Sequence, residues 1–340
     1  MHAIDESNTR LEQITEHLLA LDHPGQLRAA AIDLHMLCSD IVGLNDSSLD
    51  PLDTTPTLLS AGLAISPLGA ARCTLDFART AQFLRGVHRA VRVAQARFPE
   101  RPVEILYAGC GPFAPLAIPL MTQFTADEVR FTLLDIHQRS LEAARHLVRT
   151  LNFDDWVREF VEADATSYRH PAQQPLHILI TETMQRALIK EPQVEVTLNL
   201  APQLEPGGIL IPERITVDAC LYDPATEFQT VSTTNTVQAV ERVRIGLGTL
   251  LDLSLDSVPH LLRDGLPGVH VVVPVAGSMD LKMMLRTRVT VFESYSLGDY
   301  DAGITCPHRN KELDGLQPGS ALVFSYRMGS EPGFRSEPTV

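Results

Sequence analysis

Between residues 102 and 212 short apolar runs alternate with longer amphipathic stretches, and this rhythm constrains the fold more than any other feature of the chain. The runs fall at 103–108, 129–134, 157–161, 176–180 and 209–211. Each has the length of one strand, and a strand that is apolar throughout has both of its faces covered. Strands of this kind, joined through helices, build a doubly wound parallel sheet, an α/β fold. Ligands bind such sheets in the crevice outside the carboxyl ends of the strands. The residues directly after each run are therefore the ones that carry chemistry.

The flanking regions follow other rules. Leu11, Ile14, Leu18 and Leu21 recur at helical spacing, as do Leu27, Leu34, Leu37 and Ile41, which predicts two amphipathic helices broken at His23-Pro24-Gly25. Residues 45–56 are rich in Asp, Ser, Thr and Pro and read as a loop, and a third helix is expected from about 70 to 98. Beyond Pro212, strand-like runs at 215–221, 270–275, 285–292 and 321–328 are separated by Gly, Pro and Asp turns, which predicts an antiparallel barrel or sandwich. Within that region Val237, Val240, Val243, Leu247, Leu250 and Leu251 suggest a helical excursion over 234–254. The expected division is a helical extension at 1–69, a ligand-binding domain at 70–212 and a β-barrel-like domain at 213–340.

Composition narrows the function classes. With 44% hydrophobic and 21% charged residues, a chain of 340 suits a globular protein with proper cores. A polar start and the lack of a long apolar run predict a cytoplasmic protein without a signal peptide or membrane span. Five cysteines, odd in number and free of any CxxC pair, argue against a disulfide framework or a zinc site. The formal net charge of −14 opposes nucleic-acid binding and favours a cationic ligand.

Four strand ends carry candidate site residues. The first run leads into Ala108-Gly109-Cys110-Gly111-Pro112-Phe113, with a helix expected over 116–121; glycines there permit a tight turn and close approach of a ligand to the backbone. The second ends in Leu134-Asp135, a carboxylate placed to accept both hydroxyls of a ribose. After the third comes Ala163-Asp164-Ala165, where an acid and an adjacent N–H can read an adenine edge. After the fourth comes Thr181-Glu182-Thr183-Met184, with Glu191 nine residues beyond Glu182. A guanidinium presents five N–H donors in a planar fork, and paired carboxylates can hold it bidentately. Taken singly, each feature has a plain alternative: a turn for Gly109 and Gly111, helix caps for Asp135 and Asp164, solvated loop acids for Glu182 and Glu191.

Together these strand ends resemble class I S-adenosylmethionine-dependent methyltransferases, and within them the protein arginine N-methyltransferases. Leu75-Asp76-Phe77-Ala78-Arg79-Thr80 with Phe83 resembles that family's helical motif ahead of the sheet, which implies that Arg79 binds the methionine carboxylate of S-adenosyl-L-methionine. Glu182-Thr183-Met184 and Glu191 resemble its double-glutamate loop, and residues 204–212 its passage into the β-barrel. The resemblance implies a cofactor site at Arg79, Gly109, Gly111, Asp135, Asp164 and Ala165, and a substrate site at Glu182, Met184 and Glu191, with Glu182 and Glu191 catalytic and no metal. It also implies a homodimer, with the stretch 247–251 as a candidate arm.

The departures are specific. Tyr107 stands where the family has an acid, Phe113 replaces the third glycine and is expected to narrow the cofactor turn, and Thr305-Cys306-Pro307-His308 only partly resembles the substrate loop. The single tryptophan, Trp156, lies elsewhere, and His308 joins the catalytic candidates. His137 and Tyr168 fall near the same crevice. The expected activity is N-methylation of a guanidino group, with free L-arginine or another small guanidino compound ahead of a protein arginine, and with the N-terminal helices as a lid. Alternatives are a class I enzyme acting on another small nucleophile or transferring the aminocarboxypropyl arm, and a non-catalytic cofactor-binding scaffold.

Overall fold

The computed structural model describes residues 2–99, 102–227, 230–233, 236–239, 241–274, 281–309 and 318–339. Helices α1 (His2–Ala20) and α2 (Pro24–Val42) form the expected hairpin. His23 caps the second, its Nδ1 accepting the Gly25 N–H at 3.2 Å, while Gly43 closes α2 in the left-handed conformation that an αL cap requires. The faces carrying Leu11, Ile14, Leu18, Leu27, Leu34 and Leu37 are buried in the main core. Arg85 ties the hairpin down, with Nε donating to the Leu18 carbonyl at 2.9 Å and the guanidinium paired to Asp22.

The stretch expected as a loop is partly ordered. It contains α3 (Pro51–Thr54) and leads into a two-strand hairpin of β1 (Thr57–Leu59) and β2 (Gly62–Ala64). The helix expected over 70–98 is divided into α4 (Pro67–Arg72), a 3-10 turn at Cys73–Leu75 and α5 (Phe77–Arg97). The break sits at Asp76, whose carboxylate accepts the Arg79 N–H and caps α5.

The central sheet has five parallel strands: β3 (Val103–Ala108), β4 (Val129–Asp135), β5 (Val157–Glu162), β6 (Ile178–Thr181) and β7 (Ile209–Ile211). Their spatial order is β5-β4-β3-β6-β7, so the chain reverses direction across the sheet at β3, and a crevice opens there at the carboxyl ends. Helices α6 (Gln138–Thr150) and α7 (Gln193–Leu200) follow β4 and the double-glutamate loop. The helix expected over 116–121 is instead a series of turns ending in a 3-10 turn at Pro119–Thr122. Pro112, Pro115 and Pro119 each remove an N–H donor, which prevents a continuous α-helix.

Beyond β7 the fold is antiparallel. After β8 (Arg214–Tyr222) come the short α8 (Pro224–Glu227), β9 (Thr230–Thr233), β10 (Thr236–Ala239) and β11 (Arg244–Ser254). The expected helical excursion is therefore a hairpin and a long strand; Thr234, Asn235 and Val240 lie outside the described residues. Register shifts between Gly246 and Gly248 and between Thr249 and Leu251 throw the apolar alternation of β11 out of phase, and this bulged strand imitates helical spacing. Leu250 and Leu251 are 3% and 4% exposed in the chain's own core, so this stretch is not a free arm. Following α9 (Val258–Asp264) are β12 (Val269–Val272), β13 (Lys282–Phe292), β14 (Tyr295–Leu297), β15 (His308–Arg309), β16 (Ala321–Arg327) and β17 (Gly333–Pro338). The last of the residues expected in a strand at 270–275 also lies outside the described set. One sheet runs β11-β8-β13-β14 with β15 beside β13, and the other runs β12-β16-β17. Gly86 of α5 presses against β13 so closely that a Cβ there would come within 2.4 Å of Val291, which fixes the β region against the helix that carries Arg79.

Candidate active site

A cavity of about 440 Å³ opens at the carboxyl ends of β3, β4, β5 and β6, in the size range of small-molecule sites. Its lining brings together Arg79, Gly109, Gly111, Asp135, Asp164, Ala165, Glu182, Met184 and Glu191, residues that the sequence spreads over more than a hundred positions. His137 also lines it, whereas His308 and Tyr168 do not. Its cover is the β1–β2 hairpin, through Leu59, Leu63 and Ala64; α1 and α2 contribute no lining residue and are not the lid. The hairpin is pinned at both ends of the crevice. Leu63 N donates to the Lys190 carbonyl at 2.7 Å, and Thr57 Oγ1 lies 3.0 Å from His137 Nε2.

One half of the cavity is a backbone cradle. Gly109 and Gly111 have φ of +73° and +64°, in the region that disfavours other residues. A Cβ on Gly109 would lie 2.6 Å from the Thr183 methyl, so the turn packs directly under the first acidic loop. Asp135 is buried at the end of β4 and stiffens this turn, Oδ2 accepting from Gly111 N at 2.8 Å and Oδ1 from His137 N at 2.9 Å. Asp164 Oδ1 accepts from Thr166 N and Oγ1, holding the Asp164-Ala165 corner. Tyr107 lines the cavity, and burial keeps its phenol protonated. Phe113 does not narrow the turn: it is buried away from the cavity, edge-on to His35 of α2 with ring centres 5.4 Å apart.

The other half is acidic. Glu182 follows β6, and Gln193 holds that strand end in place. Gln193 Oε1 accepts from Thr183 N at 2.8 Å, while its Nε2 donates to the Thr181 carbonyl and to Thr197. The Glu182 side chain is 7% exposed; Oε2 is paired with Arg79, and Oε1 is buried without a hydrogen-bond partner among the described residues. Glu191 is buried, and its carboxyl is raised above the ordinary range by that burial, against the opposing pull of a Gln185 hydrogen bond and the Arg79 charge. The loop between the two acids is strained. Ala187, Leu188 and Lys190 all have positive φ, near +54°, +53° and +68°. It is held by bonds from outside: Ala187 N to Thr287 Oγ1 at 2.7 Å, Tyr326 Oη to the Leu188 carbonyl at 2.6 Å, and Lys190 N to the Pro332 carbonyl at 3.0 Å.

His308 sits on β15 beside this loop, and its imidazole is depressed by burial and by the charges of Arg186 and Lys190. Arg186 itself lines the cavity. The Arg79–Glu182 pair, Gln193, Arg186 and the covering hairpin were not identified as site elements from the sequence. Only Gln193 and Arg186 had a local signal, as polar residues within and directly after the acidic loop. Among the described residues no cluster of three or more His, Cys, Asp or Glu could hold a metal, and no helix is long and apolar enough to cross a membrane.

No family model and no curated protein matches the chain. Solved structures do match it. One is the Trypanosoma brucei PRMT1 enzyme–prozyme heterotetrameric complex with AdoHcy, with a TM-score of 0.50 and 13% sequence identity over 75% of this chain and 86% of that one. At that identity the likeness concerns the fold. The chain shares with that structure a Rossmann-like, doubly wound parallel sheet followed by an antiparallel C-terminal β region, and it carries a helical hairpin at its N-terminal side.

Proposed function

We propose that this chain is an S-adenosylmethionine-dependent N-methyltransferase acting on the guanidino group of a small molecule, with free L-arginine as the leading substrate. The observation that carries this reading is the pair of carboxylates lining one cavity, Glu191 buried and Glu182 with its side chain 7% exposed, with Glu182 Oε1 lacking a hydrogen-bond partner among the described residues. An unpartnered carboxylate oxygen is costly in a buried site, and an incoming guanidinium relieves that cost. The fold neighbour, solved with AdoHcy, supports the cofactor.

The residues present fit S-adenosylmethionine. Gly109 and Gly111 leave the backbone open, Asp135 and the Asp164-Ala165 corner stand where a nucleoside is read, and Arg79 offers a cation for a carboxylate. When bound, that group supplies a methyl on a sulfonium, a leaving group that needs no protonation. The work left to the protein is placement of the acceptor nitrogen, where orientation is worth on the order of 7–11 kcal/mol. Glu182 and Glu191 bind the N–H groups of the guanidinium, fix its plane and concentrate its charge away from the reacting nitrogen. That nitrogen gains a carbon and loses a proton, and Glu191, with its raised pKa, is the better acceptor of the two acids. His308, depressed by burial and then by the charges of Arg186 and Lys190, favours its neutral form and lies outside the lining.

The β1–β2 hairpin favours a small substrate, because Leu59 and Leu63 take up part of the cavity lining. Product identity tests the reading. Incubation with S-adenosylmethionine and L-arginine is expected to give S-adenosylhomocysteine and a methylated guanidine in equal amounts. Accumulation of methylthioadenosine would instead assign aminocarboxypropyl chemistry.

A further inference from the structure

Arg186 poses an electrostatic problem for the reading above. It stands between the two acids in sequence, lines the same cavity, and forms no ion pair or hydrogen bond through its side chain among the described residues. The position is also fixed. The next residue's N–H is held by Thr287, which is fully buried, and the 3-10 turn Arg186–Leu188 is closed by Leu188 N donating to the Gln185 carbonyl at 2.9 Å. Lys190 adds a second cation on the same loop, and both charges act on the neighbouring His308. A cavity that takes a guanidinium gains nothing from an exposed, unpaired guanidinium on its lining, since like charges repel. The arrangement makes sense if the ligand carries an anion as well as a cation.

We infer that Arg186 reads the carboxylate of a zwitterionic guanidino acid, so that the site selects a free α-amino acid over its decarboxylated or peptide-bound counterparts. The inference rests on the guanidino reading and deepens it. Glu182 and Glu191 take the cationic end of the ligand, while Arg186 takes the anionic end with the bidentate geometry that suits a carboxylate. Arginine within a peptide has no free carboxylate at that position, and agmatine has none at all. Arg186 acts as a specificity-determining residue and has no part in bond making.

The test is calorimetry on the full chain in the presence of S-adenosylhomocysteine, with L-arginine and agmatine as probes, for the wild type and the variants Arg186→Gln and Arg186→Lys. Arg186 is exposed, and its side chain bonds to no other described residue, so the variants keep the fold; thermal unfolding verifies this. The expected result is L-arginine binding at least about tenfold tighter than agmatine in the wild type, the ordinary worth of one charge-assisted contact. Arg186→Gln abolishes that preference by weakening L-arginine alone, and Arg186→Lys restores part of it. Equal loss for both probes, or no loss for either, overturns the inference and leaves the guanidino reading intact. Weakened S-adenosylhomocysteine binding in Arg186→Gln also overturns it, by assigning Arg186 to the cofactor. The expected binding pattern with no methylated product from the wild type overturns the reaction and keeps Arg186 as the carboxylate reader. Failure of both probes to bind overturns both.

Discussion

Under the proposed function, Glu191 is where protonation and ligand binding meet. Burial holds its carboxyl above the ordinary range, with the Gln185 hydrogen bond and the Arg79 charge acting in the other direction. A raised carboxyl favours its protonated form in the empty fold. Its contribution to stability is complete below the pKa of an unfolded glutamate and is lost as pH rises through the raised value. A guanidinium needs the carboxylate, so its binding strengthens over that same interval. The Kd of L-arginine is expected to fall by up to about tenfold per pH unit on the acid side of the raised pKa, and the slope should vanish in Glu191→Gln. A Kd that stays level in the wild type would remove Glu191 from the clamp. Arg79 and Glu182 make a second prediction. Each neutralises the other, and each is a candidate partner for a different ligand. Occupation of Arg79 by a carboxylate frees Glu182, so L-arginine should bind more tightly with S-adenosylhomocysteine present, and the reverse by the same factor. Arg79→Met strands a buried carboxylate and should lower stability by about 3–5 kcal/mol in denaturant unfolding. The double variant Arg79→Met, Glu182→Leu should recover part of that loss.

At the scale of elements, the double-glutamate loop is a strained segment clamped from outside. Its positive-φ residues persist because β13, β16 and the segment before β17 supply bonds that a free loop would lack. Thr287→Val keeps the shape of the buried side chain and leaves Ala187 N–H unpartnered. Stability should drop by about 1–3 kcal/mol, and kcat/KM for L-arginine should fall while S-adenosylhomocysteine affinity is kept. Equal loss of cofactor affinity would mean general damage. The same clamping explains what could be read from residues alone. Four of the five parallel strands were legible because apolar runs with both faces covered have few other readings; β5 is an edge strand with Arg158 and Glu159 exposed, so its faces are not covered as expected. The bulged β11 was not, since two register shifts break the alternation that marks a strand. The hairpin of β1 and β2 was hidden as well. Three-residue strands carry almost no periodicity, and their pairing with the Lys190 carbonyl is a long-range contact.

For the whole molecule, the cavity is assembled from several separate segments: a hairpin ahead of the sheet, a helix that bears Arg79, four strand ends, and a loop braced by the β region. The convergence of Gly109, Gly111, Asp135 and Asp164 on one cavity was legible because strand ends of a doubly wound sheet meet by topology. The cover and the brace were not, because they depend on how separate segments pack. That packing predicts selection by size. A peptide containing arginine should show at least about tenfold lower kcat/KM than L-arginine, the factor that corresponds to about 1.4 kcal/mol of lost contact. A peptide turned over as well as the free amino acid would place the substrate path elsewhere. The central claim is that Glu182 and Glu191 together present a guanidino nitrogen for methylation. Mass spectrometry of reactions with S-adenosylmethionine and L-arginine tests it most directly, comparing the wild type with Glu182→Gln and Glu191→Gln. The account predicts a gain of one methyl on arginine in the wild type and none in either variant. Undiminished methylation in the variants, or no methylated arginine from a wild type that binds S-adenosylhomocysteine, would contradict it.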